Sequence, residues 1–305
     1  MIKGFIKKNF FLGFKMLVRL KIIKPKIIVR MDGGICSQMH QYLVGRIFSE
    51  KGYRVSYDLY WFRHFAKDNN GRYERNFDLL KAFPSLAFSA SNRIESLIYM
   101  SFFGYYGNYF DHDDEDLFLY DFKPPKYLEG YYHSPIAVWT HLFRKYFKVN
   151  TTALDSQSFS FYEEIKKHGQ SVGVHVRRGD LKDYHRAYGT PADSRYFYHA
   201  VTYLLDKIES PFFYFFSDDP LWVEKELIIQ LPLTNADYRI VNINGSDKGY
   251  MDLFLIASCT HHITSKGSLG KYGALLTDSI DKTVILFNEP VEYVWKERLL
   301  NPIYL

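Results

Sequence analysis

The chain has 305 residues, 47% apolar and 24% charged, with no low-complexity tract, which excludes a disordered or fibrous protein and allows two cores. Its two cysteines, Cys36 and Cys259, have no paired spacing; this excludes a disulfide framework or a cysteine-built zinc site and fits a reducing cytoplasm. The net charge of +5 is lopsided: residues 1–30 hold nine Lys and Arg and no acid, so the remainder carries −4, which speaks against nucleic-acid binding.

Residues 1–25 interleave cations with Phe, Ile, Leu and Met ("MIKGFIKKNFFLGFKMLVRLKII"). No uninterrupted apolar run of about 18 residues exists here, so a membrane-spanning helix is not expected. Lys15, Arg19 and Lys21 break the apolar stretch that a secretory signal needs. Two readings remain. One is a basic amphipathic segment lying on an anionic membrane, which would place the protein in the cytoplasm on the inner face of the cell membrane. The other is a solvated extension that folds onto the first domain. "KIIVRM" (26–31) then reads as a strand, and "DGGICSQMHQYLVGRIFSEKG" as a Gly turn leading into a helix that stops at Gly52. With "YRVSYDLYW" as the next strand, this opens a βαβ unit and predicts a parallel sheet. Between 62 and 126, "RNFDLLKAF" and "SNRIESLIYMSFF" read as helices and "DHDDEDLF" as an acidic loop. "YLEGYYHSP" reads as a strand and turn, and "AVWTHLFRKYF" as a helix.

A second α/β pattern starts near residue 160. Its expected strands are "SVGVHV", "PFFYFFSDD", "YRIVNIN", "HHITS" and, last, "KTVILF". Its helices are "SFYEEIKKHG", "SRYFYHAVTYLLDKI", "WVEKELIIQL", "GYMDLFLIASC" and "GSLGKYGALLTD". The expected division is a basic segment at 1–25, an acceptor-side α/β domain at 26–155 and a donor-binding α/β domain at 156–305. Two doubly wound, Rossmann-like domains would face a cleft, where such folds take nucleotides. The alternation of Val172, Val174 and Val176 ends at "RRGD", so Arg177 and Arg178 stand at a strand end, where a guanidinium can grip phosphate in bidentate fashion. The plainer reading is a salt bridge to Asp180.

Four segments carry a resemblance: "DGGICSQMHQYLVGR" (32–46), "HVRRGD" (175–180), "SDD" (217–219) and "DLFLIASCTHHITSKGSLGKYGALL" (252–276), with "YLEGYYHS" (127–134) beside them. In order and spacing they resemble the α-1,2-fucosyltransferases of glycosyltransferase family 11, from about residue 27 to 290. Gly33, Gly34, Gln38, Met39, Gln41 and Tyr42 match the first motif. Cys36, Ser37 and His40 depart from it, and Lys266, Leu269, Gly270 and Lys271 depart from the last, while Ser268, Gly273 and Ala274 match. The resemblance implies a GT-B fold and an inverting transferase that takes L-fucose, or another GDP-linked deoxysugar such as colitose, from a GDP donor. It implies no cofactor and no metal. The implied acceptor is an oligosaccharide or lipid-linked glycan of the O-antigen or capsule type.

The residue types suit that chemistry. Leaving GDP gathers negative charge, which Arg177 and above all Arg178 would stabilise. His175 would contact phosphate or support the loop, and Asp180 would pair with an arginine. Gly33 and Gly34 would let the backbone approach the ligand, or form a tight turn. Ser217, Asp218 and Asp219 would accept hydrogen bonds from guanine or ribose, or cap a helix. Ser265, Lys266, Gly267 and Ser268 start a helix suited to phosphate, or to a plain cap. Asp32, His40, Asp183 and His185 are the candidate general bases, with no ground for choosing among them. Two rivals stand beside this reading. "DHD" (111–113) or Asp218–Asp219 could hold the metal of a GT-A enzyme. The altered motifs would also suit a non-catalytic carbohydrate-binding or scaffold protein. His261 and His262 are strand neighbours that point to opposite faces, so they do not form a metal pair.

Overall fold

Short apolar runs such as IIVR, FFYFFS and VIL, buried on both faces, set the strands of this chain, and side-chain caps set several helix starts. The computed structural model describes residues 2–68, 73–106, 122–130, 132, 136–179, 181 and 190–305, with backbone only for 2–8 and 291. In chain order the elements begin with α1 (Ile2–Arg19), β1 (Ile27–Arg30), α2 (Ile35–Glu50), β2 (Val55–Asp58) and α3 (Tyr60–His64). A small antiparallel ladder of β3 (Lys67–Asp68) and β4 (Tyr73–Glu74) follows. Next come α4 (Leu79–Ala82), α5 (Arg93–Phe103), β5 (Gly104–Tyr106), β6 (Lys126–Glu129), α6 (Ile136–Tyr146) and α7 (Ser156–Lys167). The remainder is β7 (Ser171–Val176), α8 (Ser194–Lys207), β8 (Phe212–Ser217), β9 (Tyr238–Val241), α9 (Gly249–Ser258), β10 (His261–Thr264), α10 (Leu269–Leu276), β11 (Val284–Leu286) and β12 (Ile303–Tyr304). The chain forms two units, one of residues 1–33, 37–66 and 86–142, the other of 34–36, 67–85 and 143–305.

The first unit holds a parallel sheet of order β2-β1-β6-β5. The chain leaves β1 toward β2 and later returns on the other flank with β6, so β1 and β6 border a topological switch point. Ile28 and Tyr127 of this sheet pack against Tyr99 and Phe103 of α5 and Phe14 of α1. Asn92 starts α5 by accepting a hydrogen bond from the Glu95 amide, 2.9 Å away.

The second unit holds six parallel strands, β12-β11-β10-β7-β8-β9. Val172, Val174 and Val176 point to one face, where α8 contributes Ala200, Val201 and Leu204. On the opposite face Tyr214 and Phe216 meet Ile165 of α7 and Leu255 and Ile256 of α9. Asp155 and Asp193 cap α7 and α8 through the amides of Ser158 and Tyr196. From β7 the chain runs out to β8 and β9 and comes back as β10 on the other flank of β7. The "RR" and "SKGS" segments therefore emerge side by side at the switch point.

The expected α/β class with parallel sheets is what forms. Several elements differ from the reading of the sequence. "RNFDLLKAF" yields only the single turn α4, and "WVEKELIIQL" winds through uneven turns from Pro220 to Gln230 instead of one regular helix. β5 was not foreseen, because three residues directly after a helix give no alternation to read. "KTVILF" is not the last strand: β12 pairs beyond it through Ile303 and Tyr304. Residues 1–25 contain a regular helix whose Phe10, Phe11 and Phe14 pack on the first unit.

Candidate functional site

Two strand ends of the second unit are tied together. The Arg177 amide donates to Ser265 Oγ at 2.8 Å, and the Ser265 amide donates to the His175 carbonyl at 3.1 Å. From the neighbouring strand, Ser217 Oγ donates to the Val176 carbonyl at 2.8 Å. Asp218 then holds both arginines, since it accepts the Arg178 amide at 2.8 Å and lies 2.6 Å from the Arg177 guanidinium. Asp219 caps the turn at Pro220 by accepting the Trp222 amide, and stands 3.7 Å from Arg178 Nε. The Arg178 guanidinium carbon lies 3.6 Å from the centre of the Trp222 ring. A guanidinium stacked on indole keeps its planar fork pre-oriented. Its pKa is lowered by burial, with Asp219 and Asp218 opposing the shift.

His175 faces away from the three valines and lies under the start of α10, where a Cβ on Gly270 would come within 2.7 Å of its own Cβ. Only glycine permits that approach. Burial, with Arg177 and Lys271 adding to it, pushes the His175 pKa down to about 3, so the ring is neutral near pH 7 and adds no positive charge. The loop before α10 carries Gly267 at φ +84° and Ser268 at the helix start, where Ser268 makes no side-chain cap. Lys266 is buried, 2.6 Å from Glu289, so it is neither a solvated surface residue nor an isolated cation. Lys271, only 2% exposed, donates to the carbonyls of Ser265 at 3.0 Å and Gly267 at 2.7 Å and pairs with Glu292 at 2.6 Å. A lysine therefore staples the loop from below, a role hidden in the sequence because its partner lies 21 positions further on. Cys36 bonds to Ser268, and burial raises its thiol to about 12, which leaves it a poor nucleophile.

In the first unit, Gly33 turns the chain at φ +71° after β1. Gln38 donates to the Gly33 carbonyl, and Gln41 bridges Asp32 twice, accepting its amide at 3.0 Å and donating to its carboxylate at 2.7 Å. Asp32 also lies 3.2 Å from Arg30 Nε, and Arg30 pairs with Glu129 at the end of β6. His40 Nε2 accepts the Tyr132 amide at 3.3 Å. Glu129, whose pKa is raised by burial against the opposing pull of Arg30, was missed as a site residue. Some 99 residues separate it from Arg30, and nothing local marks the pair. Asp180, Asp183, His185 and the "DHD" at 111–113 lie outside the described residues. Among the described residues no three His, Cys, Asp or Glu side chains converge as a metal site would require.

The family model described as glycosyl transferase family 11 matches residues 97–299. An O-antigen biosynthesis glycosyltransferase of Escherichia coli is 28% identical over 40% of this chain and 39% of its own length. The galactoside 2-alpha-L-fucosyltransferase SEC1 of Bos taurus is 32% identical over 38% of this chain and 31% of its own length, so these two alignments span less than half of either relative. An alpha-1,2-colitosyltransferase of Escherichia coli is 23% identical over 82% of this chain and 87% of its own. Among solved structures, FUT1 of Arabidopsis thaliana in complex with GDP matches at TM-score 0.54 and 13% identity, covering 87% of this chain and 71% of that one. The NodZ alpha-1,6-fucosyltransferase co-crystallised with GDP matches at 0.53 and 14% identity, covering 88% and 97%. At that identity the likeness concerns the fold, and it agrees with the expected GT-B class.

Proposed function

The chain belongs to glycosyl transferase family 11, and from that premise we propose that it moves L-fucose from GDP-β-L-fucose onto a hydroxyl of a surface-glycan acceptor, with inversion and without a metal. One observation carries this reading: the two arginines fixed at the switch point of the second sheet, each held by a carboxylate and one stacked on Trp222. Cleavage of the sugar–phosphate bond leaves negative charge on GDP. Cations already oriented toward that charge stabilise the transition state without reorganising. Arg178 is the closest phosphate contact in this reading, with Gly267 and Ser268 at the start of α10 as further donors, while Ser265 and Lys266 are engaged with the Arg177 amide, the His175 carbonyl and Glu289. Asp218 and Asp219 serve the arginines first, which supports a positioning role for them over guanine recognition.

The acceptor hydroxyl needs a base. His40 spends its Nε2 lone pair on the Tyr132 amide, and Asp32 is shared between Gln41 and Arg30. Glu129 at the end of β6 is a further candidate: burial raises its pKa, while Arg30 pairs with it as it does with Asp32. The colitosyltransferase, aligned over most of both chains, favours a second donor, GDP-colitose. The O-antigen relative supports a bacterial surface glycan as acceptor. We also infer that the basic helix α1 holds the protein to an anionic membrane, where lipid-linked glycans are assembled.

A panel of GDP-sugars, with released GDP and product mass measured with and without EDTA, tests the donor, the transfer and the absence of a metal. GDP-fucose turnover that survives EDTA is expected. Turnover of GDP-colitose alone selects the second donor. Binding of GDP-sugars without release of GDP would leave a carbohydrate-binding protein, and loss of turnover with EDTA would restore a metal-dependent mechanism.

A further inference from the structure

Nineteen large apolar side chains are exposed among the described residues, and nine of them fall in two short segments of the first unit. Leu12, Met16, Leu17, Leu20 and Ile22 belong to α1 and the turn after it; Ile94, Leu97, Ile98 and Met100 belong to α5. Such clustering marks a contact surface, whereas apolar residues exposed singly mark nothing. Both helices are apolar on two sides. On α1, Phe10, Phe14 and Val18 recur four apart and face the unit, while Leu12, Met16 and Leu20 recur four apart on the far side. On α5, Tyr99 and Phe103 are buried, and Ile94, Leu97 and Ile98 occupy the opposite face at helical spacing. The two helices lie against each other, with Phe10 stacked on Phe102 at 3.7 Å between ring centres and Phe14 4.9 Å from Phe103.

We propose that α1 and α5 together form one membrane-docking platform, in which Ile94, Leu97 and Ile98 of α5 enter the same anionic bilayer as the outer face of α1. Charge chooses the occupant. Lys15, Arg19, Lys21, Lys24 and Arg93 are exposed around the apolar side chains, and the one acid of α5, Glu95, is neutralised by Lys26 at 2.8 Å. A second copy of this chain docked symmetrically would bring these cations face to face, whereas an anionic bilayer accepts both the cations and the apolar groups. The packing of α1 on α5 also means that the basic helix reaches the membrane as a fixed part of the unit. A loose tether would need no help from α5.

This rests on the membrane reading of α1, and the test separates the two. Sedimentation of the full chain is measured with phosphatidylcholine vesicles, with and without phosphatidylglycerol. The variants are Ile94→Ser/Leu97→Ser/Ile98→Ser in α5 and Lys15→Gln/Arg19→Gln/Lys21→Gln/Lys24→Gln in and after α1. All seven side chains are exposed, so unchanged thermal midpoints are expected. Each triple or quadruple change should weaken binding to anionic vesicles by about tenfold or more. Full binding by the α5 variant, with loss only in the α1 variant, overturns the platform and leaves α1 as a lone anchor. Failure of the parent chain to bind anionic vesicles overturns both readings, whereas a stable dimer that the α5 changes dissociate overturns the platform alone.

Discussion

The two arginines at the end of β7 occupy different environments. Arg177 is paired with Asp218 at 2.6 Å, while Arg178 is stacked on Trp222 with its Nε only loosely opposite Asp219. Arg178→Lys keeps the charge but loses the planar fork and the stack, and should lower kcat/KM by about 1.5–3 kcal/mol, with GDP affinity falling in parallel in a titration. Trp222→Leu should reproduce part of that loss, about 1 kcal/mol, and should cost nothing further in the Arg178→Lys background. Additive losses would mean that Trp222 does not act through the arginine. The buried Lys271–Glu292 pair gives a third expectation. Lys271→Met strands a carboxylate that is itself buried and should cost about 3–5 kcal/mol in chemical denaturation, whereas Lys271→Met/Glu292→Leu should recover most of it. The sequence showed that position 271 departs from the family pattern. It could not show that the replacement ties down the Ser265 and Gly267 carbonyls.

Among the elements, α10 packs tightly on its neighbours through two glycines. A Cβ at Gly270 would meet the Cβ atoms of His175 at 2.7 Å and Thr264 at 2.9 Å, and one at Gly273 would meet Ile256 Cγ2 at 2.4 Å. Gly270→Ala therefore displaces the helix start together with the loop at 265–268. It should destabilise the fold by about 1–3 kcal/mol and weaken GDP binding, both readable in one thermal-shift experiment with and without GDP. The sequence departs from the family pattern at this very position. What excludes a side chain there is the distance between two strands and a helix that are not adjacent in sequence. For α1, removing residues 1–19 would uncover Phe102 and Phe103 of α5, so truncation should lower the thermal midpoint as well as membrane binding.

Across the whole molecule, two buried imidazoles contribute to the response to acid. His262 is buried, its Nε2 bonded to Thr277 at 2.9 Å, and burial, with Lys282 and His261 adding, pushes its pKa to about 3; His175 is depressed as far. Between the ordinary histidine pKa of 6.5 and about 3, the unfolded chain binds protons that the folded chain refuses. Stability from these groups is thus intact above pH 6.5 and is lost as pH falls toward 3. The thermal midpoint should drop across that window, and more gently in His262→Gln, which cannot take up a proton when unfolded. An equal slope in parent and variant would remove His262 from the account.

The sequence by itself determined the parallel α/β class, most of the regular strands and long helices, and the family, because alternation, helical spacing and contiguous motifs are local properties that survive without a partner. It also placed Arg177 and Arg178 at a strand end, since "SVGVHV" carries its own stop. Only the tertiary structure decided that β7 and β10 lie side by side, that Asp218 serves both arginines, and that Trp222 supports Arg178. It alone joined Arg30 to Glu129 and Lys271 to Glu292, and turned one apolar face of α1 toward α5 and the other outward. Each of these depends on how separate elements pack against one another, and the pattern within any one element is the same whichever neighbour it meets.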